Sequence, residues 1–334
     1  MLLKAPAFIC PAARGPLRYS YGVVLAAVAL GLLAPAWAGW VLGPVLLLGL
    51  VVLGVAHGAC DQFVVPATHP ALARNQLRYW VVFLGGYLGL AAAVGALWWW
   101  QPGLAVAFFF GLSAWHWGSG DAPTAARYRA QWLAHSLLRG GLIFAVPLLA
   151  WPLQTQELIN GLLTLAGAAS VSAAAIAAAG QLLWPVVLAG HLALWGSYGL
   201  LGQAELAGTD TLEAGLLLAL LTALPPVLSG SVYFVFWHSL QHVLRMNALM
   251  APSRAGRPLW AEVGFFLRRS APLLAVSVAA LAALYTWEWT RAAGAPVLIS
   301  LALLVASIVT LPHALLVTLG MDAARWRKEL KVKS

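Results

Sequence analysis

Residues 213–248 read EAGLLLALLTALPPVLSGSVYFVFWHSLQHVLRMNA. The run is longer than one membrane crossing requires, since ~20 apolar residues suffice for a transmembrane helix. Pro225-Pro226 divides it. Proline lacks a backbone donor and its ring collides with the preceding turn, so a kink or break is expected here, with a short re-entrant or separate helix before it. Past the break, His238 and His242 stand four residues apart on one helix. Such side chains share a face, with Cβ atoms ~5–6 Å apart, so both imidazoles can reach one ion.

The whole chain has this character. Of its 334 residues 62% are hydrophobic and 9% charged, and the mean hydropathy is +0.85. This composition excludes a soluble globular domain and predicts an all-α fold, a polytopic integral membrane helical bundle. One membrane domain covering 1–334 is expected. Apolarity and charge predict ten transmembrane helices, at 19–36, 40–60, 79–100, 103–119, 131–151, 157–179, 182–202, 213–248, 261–287 and 295–319, the eighth being the kinked one. The first apolar run ends at Ala36-Trp37-Ala38, which resembles a signal-peptidase site. The polar region before it is long for a signal peptide, so a retained first helix is expected. Cys10 and Cys60 form no spaced motif, and neither a disulfide nor a thiolate metal site is expected.

The net charge of +9 does not point to nucleic acid, because the basic residues lie in short runs between apolar stretches. Placing the N-terminus in the cytoplasm puts all 19 Lys and Arg residues except Arg139 and Arg291 in cytoplasmic segments. The outer loops then carry Glu157, Glu205, Asp210, Glu213 and Glu288. This asymmetry predicts both termini inside, with a short segment at 1–18 and a basic tail at 320–334, in a multi-pass protein of the cell inner membrane.

Ionisable residues inside a membrane are costly and mark functional sites. In the ten-span reading His57, His116, His238 and His242 fall at one depth near the cytoplasmic side. His313 and His135 fall at a similar depth. Imidazoles converging in a membrane suit a metal, and His57, His116, His238 and His242 are the candidate ligands. Asp61 and Asp121 follow the first two motifs and are candidate acceptors for a ligand's second ring N–H. His313, His191 and His135 are candidates for the surrounding shell or for an additional ligand. His69, in Thr68-His69-Pro70, reads as solvated. Phe110, Trp115, Trp117, Tyr233, Phe234 and Trp237 crowd the histidine motifs and suit the lining of a site for a long apolar ligand. An all-imidazole set suits iron, copper or zinc. Four protein ligands would close a tetrahedral zinc site, whereas iron keeps open positions.

Four motifs carry a family resemblance: His57-Gly58-Ala59 with Asp61, Trp115-His116-Trp117-Gly118 with Asp121, Trp237-His238-Ser239 with His242, and Leu311-Pro312-His313. In this order they resemble the Brp/Blh β-carotene 15,15′-dioxygenases, integral membrane proteins that make retinal. The resemblance implies that His57, His116, His238 and His242 hold Fe(2+). It implies cleavage of the central double bond of β-carotene by O2 to give two molecules of retinal. It also implies a carotenoid substrate drawn from the bilayer and a retinal-accepting rhodopsin as a partner. The rival readings are a di-iron desaturase, a haem-binding electron carrier and a proton-relaying transporter. A desaturase needs several paired-histidine boxes, and the chain has one His-x-x-x-His.

Overall fold

The computed structural model describes residues 14–123, 126–251, 257–289 and 295–326, and the regular structure among them is helical. In chain order the long helices are α1 (Arg14–Leu33), α2 (Pro35–Gly49), α3 (Gln76–Trp100), α4 (Pro102–Asp121) and α5 (Arg129–Ala150). Then come α6 (Pro152–Leu165), α7 (Ala173–Leu200), α8 (Ala204–Ala223), α9 (Pro226–Tyr233, resuming as Leu240–Met250), α10 (Leu259–Trp289) and α11 (Ala295–Leu316). Lys4, Cys10, Arg254, Arg291 and the basic residues from Arg327 onward lie outside the described residues, as does most of the 1–18 segment.

Among the described residues, seven helical segments are long and apolar enough to cross a membrane: Pro35–Thr68, Gln76–Trp100, Arg129–Ala150, Ala173–Leu200, Ala204–Ala223, Leu259–Trp287 and Ile299–Met321. The expected 157–179 and 182–202 helices are replaced by α6 and α7. Gly167 adopts φ 70°, and Ala168 N–H returns to the Leu163 carbonyl at 2.8 Å, which closes α6 with a left-handed cap. Ser172 then caps α7 by accepting from Ala175 N–H. Apolarity alone runs through this loop because its residues are mostly Ala and Val. With 14 residues, α6 is ~21 Å long, short of the ~30 Å hydrocarbon core. The expected 213–248 helix is two helices, α8 and α9. The break falls at the proline pair, where Leu224 and Pro225 are both extended.

The surface is apolar, and charged side chains are held inside, among an otherwise apolar core. Trp99 and Leu200 are each 91% exposed, whereas Arg139 is 0% and His116 is 2% exposed. A bilayer imposes this inversion, because hydrocarbon solvates Leu and Trp but not a guanidinium. Small residues bring helices together. A Cβ on Gly118 would collide with the Ser136 carbonyl, and one on Gly140 with the Ala114 carbonyl, so α4 and α5 meet backbone to backbone. Behind this contact lies a buried ionic network. Arg139 bonds Asp210 at 2.5 Å and Glu213 at 3.2 Å, and Tyr21 donates to Glu213 at 2.7 Å.

Among the described residues, three helices carry a π-helical turn: Leu50–Val55 extending α2, Phe234–Ser239 within α9, and Val317–Met321 ending α11. Such turns are rare and collect at functional sites. The first two face each other. A Cβ on Gly49 would meet Val235 at 2.5 Å, and one on Gly54 would meet Phe234 at 2.9 Å.

Candidate metal centre

The three π turns adjoin or contain three histidines. His57 follows the first turn within the short helix Ala56–Gly58, His238 lies in the second, and His313 precedes the third. His116 comes from the last turns of α4 and His242 from the resumed part of α9. All five are buried.

Their rings form a defined constellation. His57, His313, His116 and His238 make a closed circuit, with successive ring centres 4.9, 4.7, 5.0 and 6.0 Å apart. His242 touches all four, at 5.3 Å from His57, 5.2 Å from His313, 6.4 Å from His116 and 6.5 Å from His238. A metal–imidazole bond of ~2.1 Å puts ring centres ~4.6 Å apart at right angles and ~6.5 Å apart across the ion. The observed separations lie within that span. Ligand nitrogens of His57, His116 and His238 already lie within 4.8 Å of one another.

The ring nitrogens are also unpartnered. His57 Nδ1, both nitrogens of His116, His238 and His242, and His313 Nε2 are buried without a hydrogen-bond partner. One orphaned buried polar atom costs ~1–3 kcal/mol. A neutral ring has one N–H and one lone-pair nitrogen, so these five rings bring five lone pairs into one dry cluster, a donor set that suits a transition metal. A haem fits poorly: a macrocycle between any two of these rings would overlap the others.

The surrounding shell differs from the expected one. Asp61 does not turn to His57. Its carboxylate accepts from His313 Nδ1 at 2.8 and 3.0 Å, and from Tyr87 O–H at 3.1 Å. Asp121 accepts from Tyr233 O–H at 2.8 Å and touches no ligand ring through a hydrogen bond. His135 and His191 stand outside the cluster, which corrects their expected place around it. His135 bonds Asp210 at 2.8 Å in the ionic network, and His191 donates from Nδ1 to the Val187 carbonyl within α7.

Four of the six expected lining residues join one aromatic wall. Phe234 lies 5.4 Å from His57 and stacks on His238 at 6.0 Å. Trp117 contacts His238, Tyr233 and Phe234 at 5.9, 5.5 and 5.6 Å. From Trp117 the wall runs through Phe144 to Phe110, at 5.5 and 5.4 Å. Trp115 faces elsewhere, among Trp132 and Trp326, and Trp237 pairs with Tyr21. Sequence reasoning missed Phe144 and Tyr87. Tyr87 was findable as a hydroxyl inside an apolar span. Phe144 carries no signal, because one Phe in Ile143-Phe144-Ala145 looks like any packing residue.

Beneath the histidines, Arg245 bonds Asp322 at 2.6 Å, and Arg325 donates to the Ser119 carbonyl at 3.2 Å. These contacts tie the ends of α9, α4 and α11 together beside the cluster.

A family profile for β-carotene 15,15′-dioxygenase matches residues 48–321, which includes all five histidines. A protein of Halobacterium salinarum strain NRC-1, named a probable β-carotene 15,15′-dioxygenase, Blh, is 29% identical over 288 residues. That alignment covers 80% of this chain and 81% of the relative. The similarly named Brp of strain R1 is 29% identical over 226 residues, covering 61% of this chain and 58% of the relative. No solved structure matches. An apolar helical bundle, a buried histidine constellation and a match over most of the length agree: the chain belongs to the β-carotene 15,15′-dioxygenase family.

Proposed function

We propose that this protein is a membrane-embedded carotenoid-cleaving dioxygenase that splits the central double bond of β-carotene, with Fe(2+) held by His57, His116, His238 and His242. The observation that carries the reading is the convergence of buried imidazoles, each with a ring nitrogen that lacks a partner, in a chain of this family. Bound iron supplies the activation of dioxygen. The reaction balances without a reductant: the carbon–carbon double bond and the oxygen–oxygen bond break, two carbonyl bonds form, and each oxygen atom leaves in one retinal.

The chain's own work is binding and exclusion. Neutral imidazoles offer lone pairs and add no charge to the site. The wall of Phe234, Trp117, Phe144 and Phe110 gives the polyene a run of aromatic rings leading away from His238. Holding a long conjugated chain in one register is what selects one bond among several alike. The apolar outer surface lets a lipid-dissolved substrate arrive sideways. The inner membrane is the corresponding location, and a retinal-accepting rhodopsin is a natural recipient of the product.

Expression in a β-carotene-producing bacterium tests this. Retinal accumulating as carotene falls supports the reading. Unchanged carotene in cells that hold the intact protein overturns it.

A further inference from the structure

We propose that His313 is a fifth imidazole on the same cation, held in that role by Asp61. This rests on the metal reading above and extends it. A metal-bound histidine usually gives its second ring N–H to a carboxylate, which fixes the tautomer and makes the ring a stronger donor. His313 has this arrangement. Its Nδ1 faces both Asp61 oxygens, at 2.8 and 3.0 Å. A nitrogen between two carboxylate oxygens carries a proton, so in the neutral ring Nε2 presents its lone pair. That Nε2 is buried and unpartnered.

Pairing with a carboxylate is not the whole argument, because His135 is also paired, with Asp210. What sets His313 apart is its company. Its ring centre lies 4.7 Å from His116, 4.9 Å from His57 and 5.2 Å from His242. His116 and His57 are its neighbours in the circuit that His238 closes. Without His313 that circuit is open on one side. A purely structural His313–Asp61 contact would explain Nδ1 but leave Nε2 buried without a partner. Tyr87 completes the support by donating to Asp61 Oδ2 at 3.1 Å, so a hydroxyl on α3 orients the carboxylate that orients the ring. Five imidazoles would then be offered to the cation, one of them bonded to the Asp61 carboxylate.

The test uses the full-length protein in detergent, loaded with Fe(2+) alone. Iron per protein, affinity by chelator competition and the electron paramagnetic resonance spectrum of the nitric oxide adduct are measured for wild type, H313Q, H313A, D61N and Y87F. Affinity should fall ~10–100-fold in D61N, at least as far in H313Q, and least in Y87F. The spectrum should change in all three. Millimolar imidazole should restore iron binding to H313A, which a lost structural contact would not allow. Folded H313Q or D61N with wild-type affinity and spectrum overturns the proposal. If neither folds, an unchanged spectrum in Y87F together with no imidazole rescue of H313A overturns it. Wild type that binds no iron at all would sink the proposed metal centre itself, a different result.

Discussion

Trp117 lies over Phe144 with ring centres 5.5 Å apart and planes 20° from parallel. The same indole is 5.9 Å from the His238 ring. One residue from α4 and one from α5 thus extend the histidine cluster into an aromatic surface. Phe144→Leu should loosen substrate register while sparing the metal. A stacked aromatic contact is worth ~0.5–1.5 kcal/mol, so KM for β-carotene should rise roughly 2- to 12-fold. Chromatography of the products should show apocarotenals from neighbouring bonds, with iron content as in wild type. Unaltered KM and a single product would remove Phe144 from the wall.

Metal removal should destabilise the bundle. Each ring that binds the ion through one nitrogen keeps that nitrogen buried and unpartnered once the ion leaves. A ligand at 100 times its Kd adds ~2.7 kcal/mol of stability. Chelation should therefore lower Tm by several degrees, and Fe(2+) should restore it, with tryptophan fluorescence as the probe. Coincident melting curves with and without Fe(2+) would contradict an occupied site.

The ionic network behind the site makes a separate prediction. Arg139 is fully buried and serves both Asp210 and Glu213. Removing one partner of a buried pair strands the other, at a cost of ~3–5 kcal/mol. R139M should lose about that much, and R139M/D210N should lose less than the two single changes added together. Denaturant titration in detergent measures both. Additive losses would mean that the two side chains are not coupled.

Gly118 and Gly140 should tolerate nothing larger, since each Cβ would enter a neighbouring backbone carbonyl. G118A and G140A should fail to accumulate as folded protein. Gly111, on the same helix as Gly118, has open space around its Cβ position. G111A should be neutral or stabilising by ~0.5–1 kcal/mol. Membrane levels and gel-filtration profiles of the three variants distinguish these outcomes.

Much of this was legible in the sequence, for a physical reason. Polar side chains in apolar helices are costly, so each one stands out, and His57, His116, His238, His242 and His313 could be singled out by that rule. The proline pair marked a real break because its effect is local and steric. Partner choice was not legible. Asp61 stands four residues after His57 in sequence, yet its carboxylate serves His313, 252 residues away. Helix packing decides such a pairing, and spacing carries no trace of it. The α6–α7 boundary escaped for a related reason. Gly167 ends α6 by its backbone conformation, whereas a hydropathy profile sees a run of small residues that Ser170 and Ser172 scarcely interrupt.

A π turn accommodates one residue more than the α turn it interrupts, so it works as a local phase shifter. In α2, α9 and α11 the outer part of the helix can follow the lipid-facing pattern that the bilayer demands. The part near the site follows the azimuth that an imidazole needs. Deleting one residue from Leu50–Val55 or Phe234–Ser239 would return each helix to a single phase. His57, or His238 with His242, would then swing by ~100° toward a different neighbour, while hydropathy would scarcely change. Spectrum-altering single deletions in these two short windows would separate the requirements of the solvent from those of the ion.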